Sequence, residues 1–424
     1  MLLAANRDMG IEVEDGAIVE HFAFGERAHR VELSTARGPR HLEARWFVDA
    51  SGRSGLIRRR LGLTREVTHR ANACWFRIAD SLRVDEWTTD AAWKARVPSG
   101  QRWLSTNHLM GRGYWVWLIP LGSGSTSVGI VADSTLHPWS RISRFDRALE
   151  WLREFEPQCA DVVAQQRAQV EDFLALRHYA YGCSQVYSPA RWALTGEAGL
   201  FTDPFYSPGS DFIAVGNDCI TDLIVRERRG EDIAHRVEQF NTNYLRLFDA
   251  FLRLYDGQYR LMGNAQVMTA KAAWDNACYW SITALLYFQR RFRCPEFMAS
   301  IDFLLKRFFV LHARMQTLLN RWDVVDDSRY AHGSTNVVAV DFLRRLQGEL
   351  AAPRMNDQAL RMKLQENLWL LERFAKSLHA AAAARNPELA GHAPPTGPET
   401  TLVDIEPLLL QSVVDDARAV ASPA

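Results

Sequence analysis

A chain of 424 residues carries enough apolar side chains for roughly two or three compact units. Its 50 Lys and Arg balance 50 Asp and Glu, so no global field draws it to nucleic acid or an anionic membrane surface. No run approaches the roughly 18 uncharged apolar residues of a membrane span; even 301–312 is broken by Asp302, Lys306 and Arg307. The six cysteines (Cys74, Cys159, Cys183, Cys219, Cys278 and Cys294) form no CxxC pair and no zinc-type spacing with histidine. No metal site is expected from them, and reduced, mostly buried thiols of a cytoplasmic protein fit this usage.

In chain order, residues 1–10 read as the end of a helix with Gly10 as its stop, and 11–13 as a strand. Segments 17–24 and 29–34 read as a hairpin, with a turn at 37–40. A strand from 42 to 49 then runs into the glycine-rich turn Asp49-Ala50-Ser51-Gly52-Arg53-Ser54-Gly55. Arg58, Arg59 and Arg60 read as a solvated helix face. Residues 71–132 suggest an antiparallel sheet with strands near 73–78, 103–108, 113–121 and 127–131. Period-2 geometry puts Trp115 and Trp117 on one face of such a strand. A helix is expected over 145–155, broken at Glu156-Pro157, and His178 reads as a structural histidine among tyrosines.

Residues 191–194 form a short apolar run, then comes a stretch rich in glycine, proline and carboxylates. A helical pattern follows, with Phe212, Val215, Gly216, Cys219, Ile220, Leu223 and Ile224 on one stripe. Gly209 and Ser210 stand at the helix start, where free N–H groups and the positive dipole end can steady a negative charge. Beyond Asp222 the spacing is helical near 232–262, 265–292, 297–320, 338–350 and 357–384. Trp274, Asp275, Tyr279 and Trp280 either line a pocket or pack helices together. Residues 386–398 read as a proline-rich linker and 401–420 as a short terminal helix. Lys94 and Lys271 read as surface lysines.

The order Gly196, Ala198, Asp203, Pro204, Ser207, Gly209 resembles the second flavin-contacting motif of FAD-dependent monooxygenases and halogenases of the para-hydroxybenzoate hydroxylase type. Glu197 stands where that motif has aspartate. The 49–55 turn is similar to an earlier flavin-contacting segment of the same superfamily. Trp115-Val116-Trp117-Leu118-Ile119-Pro120 fits the Trp-x-Trp-x-Ile-Pro signature of flavin-dependent halogenases of the tryptophan type.

The resemblance implies an α+β fold. Its expected parts are a partial FAD-binding domain (1–70), a substrate-side sheet (71–132), a return to the FAD domain (133–230), a helical domain (231–385) and a tail (386–424). It implies FAD, reduced by a separate flavin reductase, with O2 and halide as co-substrates. A flavin hydroperoxide would oxidise halide to hypohalous acid, which attacks an electron-rich aromatic substrate, free or carrier-protein-bound. Asp49, Gly52, Arg53, Gly196, Glu197, Asp203, Pro204, Pro208, Gly209 and Ser210 would hold the flavin. Trp115 and Trp117 would keep substrate and flavin apart.

Two departures matter. The sequence has no Gly-x-Gly-x-x-Gly, so the chain is expected to begin inside the FAD domain, short of roughly a hundred residues that include the family's catalytic lysine. Weak FAD binding, an exposed sheet edge and impaired catalysis are therefore expected of this chain alone. Pro208 has no N–H where the family binds halide through backbone amides. A monooxygenase or dehydrogenase that never halogenates, or a non-catalytic remnant, stays open beside the halogenase.

Overall fold

The computed structural model describes residues 1–97, 99–327, 334–337, 340–397 and 400–410. Helices and mostly antiparallel strands are combined in an α+β architecture. The chain divides into two compact units. One comprises residues 1–65, 183–200 and 209–245; the other comprises 66–182, 201–208 and 246–424.

The first unit opens with an antiparallel meander, Ile18–Ala23, His29–Thr35 and Gly38–Ala44. The expected turn at 37–40 is tighter, and the third strand starts at Gly38. Segment 11–13, expected as a strand, is irregular; Glu12 and Glu14 instead reach Arg40 through ion pairs of 2.9 and 2.5 Å, satisfying side chains without a ladder. The expected 42–49 strand is broken at Arg45 and Trp46. Both side chains are drawn to Glu227 of the helix Gly209–Arg228, at 2.6 and 3.2 Å. The chain then enters a second sheet, where Phe47–Asp49 runs parallel to Trp192–Leu194, and Trp192–Leu194 pairs on its other side with Tyr187–Ser188. Phe47–Asp49 is an edge strand of this sheet. Phe22 and Phe24 pack against Phe47 and Trp192, joining meander to sheet.

Arg58 corrects the expectation of a solvated arginine face. Arg59 and Arg60 are exposed, but Arg58 is buried; its Nε donates to the Ala198 carbonyl at 3.0 Å and its Nη1 to Thr64 Oγ1 at 3.2 Å.

The second unit is built on a five-stranded antiparallel sheet in the order Leu174–Leu176, Ala71–Ile78, Thr126–Asp133, Tyr114–Pro120, Asn107–Gly111. Phe76, Ile78, Val116, Leu118, Val128 and Ile130 line one face in a core that also takes in Trp151, Leu152 and Val163 from helices Phe145–Phe155 and Pro157–Gln165. The strand expected at 103–108 starts later, at Asn107. Arg102–Leu104 is a 3-10 turn, because Asp85 accepts the Arg102 and Trp103 N–H groups at 3.2 and 3.0 Å.

Trp115 and Trp117 lie on the other face, as alternation requires, with ring centroids 5.5 Å apart. Trp117 pairs across the sheet with Gly129, and a Cβ built on Gly129 would meet the indole at 2.1 Å. Only glycine lets the ring lie flat on the neighbouring strand. Gly129→Ala is expected to lower the unfolding free energy by about 1–3 kcal/mol through overpacking. Urea unfolding checks this, and near-UV circular dichroism would report the displaced indole.

The remainder is helical. The 265–292 block is a helix Ala265–Cys278 continued by a π-helical turn Tyr279–Ala284 and a short helix Leu285–Phe288. The 297–320 block is a long helix Asp302–Val325 preceded by Pro295–Ser300, and the last long helix is Asp357–Arg385. Part of the expected linker, Pro387–His392, is a 3-10 turn with Leu389 buried. Of the terminal helix expected over 401–420, residues 411–420 lie outside the described residues, and Glu406–Leu408 is a 3-10 turn. Gln266 grips this end, donating to the Leu408 carbonyl and accepting from the Leu410 N–H. Among the described residues, no helix is long and apolar enough to cross a membrane, and no cluster of three metal-ligating side chains occurs. The six cysteines are free thiols, all buried except the half-buried Cys294.

Candidate functional site

In the first unit the two glycine-rich turns that resemble flavin-contacting segments come together. Parallel pairing sets Leu194 beside Asp49, and the Thr195 N–H extends the ladder to the Asp49 carbonyl at 3.0 Å. The turns that leave these strand ends, Gly52–Ser54 and Gly196–Ala198, are therefore neighbours. Their side chains meet: Arg53 Nη1 lies 3.3 Å from Glu197 Oε2, both groups partly exposed. Glu197 thus keeps a carboxylate at the corner and has a cation to hold it.

Gly196 is in the left-handed region at φ 56, and a Cβ there would press on Ile213 of the following helix at 3.2 Å. A side chain would be strained by conformation and by space. Gly52 is also left-handed, at φ 61, and the space where its Cβ would stand is open.

Asp49 also orders its own turn. It is buried, and its carboxylate accepts the Ser51 N–H at 2.9 Å and the Ile57 N–H at 2.8 Å. It shapes the turn by binding backbone donors.

The second unit holds the other motif residues on the segment 201–208. Asp203 is a buried hub: Oδ2 accepts from His69 Nε2 at 2.7 Å, Tyr179 OH at 2.5 Å and Tyr259 OH at 2.6 Å, while Oδ1 accepts the Phe205 N–H at 2.9 Å. Four donors converge on this carboxylate, three on Oδ2 and one on Oδ1. Asp203 therefore fixes its loop. Tyr259 also receives the Trp115 indole N–H at 2.9 Å, so the hub is tied directly to the Trp-x-Trp strand. Burial, then the Asp203 charge, holds both tyrosine hydroxyls well above their ordinary pKa, so they remain protonated donors.

His108 lies against Trp115 and Phe205, with centroids 4.9 and 5.1 Å away. Burial pushes its pKa down to about 4 despite the opposing pull of Asp203, so it is neutral near pH 7. Trp115 is buried, while Trp117 is half-buried and donates to Ser127 Oγ at 3.0 Å.

Pro204 and Pro208 flank Ser207, a non-glycine residue at φ 55. Such a conformation costs about 1–3 kcal/mol and persists where the surroundings enforce it. Gly209 and Ser210 begin the helix Gly209–Arg228.

Lys271 corrects a second expectation. It is fully buried, not on the surface, and lies 2.8 Å from Asp275 one helical turn on. Lys94 is exposed as expected. Trp274 is buried beside His312 and Phe374, favouring the packing alternative for that residue. Local sequence did not reveal His69, Tyr179, Tyr259 or Gln316 as partners. The one available signal was general: a carboxylate in an apolar loop needs donors from elsewhere.

No protein-family model matches the chain. In sequence it is similar to the flavin-dependent halogenase chlA of Dictyostelium discoideum, 25% identical over 305 residues, covering 68% of this chain and 46% of that protein. It is similar to tetracycline 7-halogenase of Kitasatospora aureofaciens, 27% identical over 220 residues, covering 47% and 34% of the two chains. It is also similar to the 1H-pyrrole-2-carbonyl peptidyl-carrier protein chlorinase of Pseudomonas fluorescens, 28% identical over 211 residues, covering 49% and 43%. The chain spans about half the length, or less, of these curated relatives. Its fold is like that of halogenase PltM in complex with phloroglucinol and FAD, with a TM-score of 0.60 at 14% identity over 88% of this chain and 72% of that one. By sequence and by fold, the chain resembles the flavin-dependent halogenases.

Proposed function

We propose that this chain binds FAD and takes part in halogenating an electron-rich aromatic substrate. The observation that carries the reading is the junction of the 49–55 and 196–198 turns, closed by the Arg53–Glu197 pair at 3.3 Å. A flavin's sugar-alcohol chain needs half-exposed donors and acceptors beside open backbone. Arg53, Glu197 and the free space at Gly52 fit that need. Gly196, Gly209 and Ser210 are the backbone positions we assign to the cofactor, with Pro204 and Pro208 shaping the approach. We assign Asp49 to shaping the 49–55 turn, through the Ser51 and Ile57 N–H groups that it accepts, and Asp203 to fixing the 201–208 loop.

Bound FAD, once reduced, supplies the activation of O2 that oxidises halide. The chain's own residues bind, orient and shield: we assign Trp115 and Trp117 the barrier that keeps the organic substrate from the flavin. The reductant would come from a separate flavin reductase. The relative whose name specifies a peptidyl-carrier protein supports a tethered substrate as well as a free one. The sequence offers no Gly-x-Gly-x-x-Gly to cradle the diphosphate, so binding through the corner alone is expected to be weak.

A second reading, oxygenation without halogenation, is favoured by Pro208, which lacks the N–H that a halide would use. Incubation with FAD, a flavin reductase, NADH, O2, chloride or bromide and a panel of phenols and pyrroles separates the two by product mass. A halogen-for-hydrogen exchange supports the first reading. A gain of one oxygen supports the second. Neither product, together with no flavin uptake, overturns both.

A further inference from the structure

Helix Ala265–Cys278 carries a charge that nothing in the flavin reading uses. Lys271 Nζ lies 2.8 Å from Asp275 Oδ2 and 2.7 Å from Gln316 Oε1, and Gln316 Nε2 returns to Asp275 Oδ1 at 2.7 Å. Lys271, Asp275 and Gln316 are all buried. The lysine neutralises the carboxylate and the glutamine braces it, yet Asp275 Oδ2 still accepts one more donor. That donor is the hydroxyl of Tyr206, at 3.0 Å. Burial, then the Asp275 charge, keeps the Tyr206 hydroxyl protonated and donating. An apolar pair of similar volume would hold these helices together as well or better, so packing alone gives no reason for the charges. What they add is a fixed, charged acceptor for the tyrosine.

Tyr206 immediately precedes Ser207, whose φ of 55 is left-handed without the freedom of glycine. The segment is anchored upstream at Asp203, and the Ser207 N–H closes a turn onto the Pro204 carbonyl at 2.9 Å. The Tyr206–Asp275 bond holds the residue directly before Ser207. With Asp203 held by four donors, Tyr206 by a buried carboxylate and the Ser207 N–H by the Pro204 carbonyl, the chain that enters Ser207 is fixed, and the helix Gly209–Arg228 begins two residues on.

We propose that Lys271, Asp275 and Gln316 are positioning residues. Acting through Tyr206, they hold Ser207 left-handed and so set the Ser207–Pro208 backbone for the flavin. This rests on the FAD reading above and adds a buried residue set outside both segments that resemble flavin-contacting motifs.

The test is FAD titration of the full chain by flavin fluorescence. Tyr206→Phe keeps the ring and deletes the bond, and is expected to weaken FAD binding about tenfold, the effect of losing one hydrogen bond to a charged acceptor. Lys271→Met/Asp275→Leu removes both charges together and is expected to weaken it equally. The discriminating variant is Tyr206→Phe/Ser207→Gly. Glycine adopts φ 55 unaided, so this double variant should recover most of the lost affinity, which general loosening of the core would not allow. Unchanged affinity in Tyr206→Phe, or no recovery on adding Ser207→Gly, overturns the proposal.

If wild-type chain takes up no FAD, the functional reading fails separately. Amide exchange then decides the clamp. Faster exchange in 202–208 of Tyr206→Phe, with helix Ala265–Cys278 unchanged, supports it, and equal exchange in 202–208 overturns it.

Discussion

Lys271→Met is expected to cost about 3–5 kcal/mol of unfolding free energy, because it strands the buried Asp275 carboxylate beside Tyr206 and Gln316 without its cation. Asp275→Leu added to it removes the stranded charge and should give back part of that loss; recovery is partial because Gln316 and the Tyr206 hydroxyl lose these hydrogen-bond partners. Urea unfolding at constant m-value measures both. Lys94→Met serves as the control: Lys94 is exposed, and a change within about 0.5 kcal/mol is expected. Equal, small effects at Lys94 and Lys271 would mean that the buried pair does not form.

Asp203→Asn is expected to be comparably severe, about 3–5 kcal/mol, although it changes little in shape. One carboxylate oxygen faces three donors, from His69, Tyr179 and Tyr259, and the other faces the Phe205 N–H. An amide presents one oxygen and one NH2 group. Turned either way, its NH2 opposes a donor, and the buried site has no room to avoid the conflict. Because Tyr259 links the hub to the Trp115 indole, the variant should also shift tryptophan fluorescence under native conditions. A stable variant with unaltered fluorescence would show that Asp203 is not the hub described.

Elements held together by near neighbours were legible in the sequence. The alternation of 113–121 and 127–131 gave the hairpin Tyr114–Pro120 with Thr126–Asp133, and the amphipathic pattern with its Glu156-Pro157 stop gave the helix Phe145–Phe155. The turn after Trp192–Leu194 was legible because the apolar run ends at a glycine. What failed depended on distant partners. Arg58 looked like one of three solvated arginines, and its carbonyl partner is Ala198. Lys271 sits in a polar-looking register, but its second partner, Gln316, comes from another helix. The resemblance places Asp49 and Asp203 at the flavin, and their protein partners are not legible in the sequence. The structure gives Asp49 two backbone donors, and Asp203 a histidine, two tyrosines and one backbone N–H. The 102–104 segment has strand composition, and Asp85 turns it into a 3-10 coil from outside its own window.

The junction of the 49–55 and 196–198 turns is where the flavin is expected to bind. Titrating the chain with FAD while recording the visible difference spectrum tests this most directly, with Gly196→Val alongside. Gly196→Val places a branched side chain where φ is 56 and Ile213 already lies 3.2 Å from the added Cβ. A saturable spectral change in wild type that Gly196→Val abolishes, with helical circular dichroism intact, is the expected result. No spectral change in wild type, or the same change in both proteins, would contradict it.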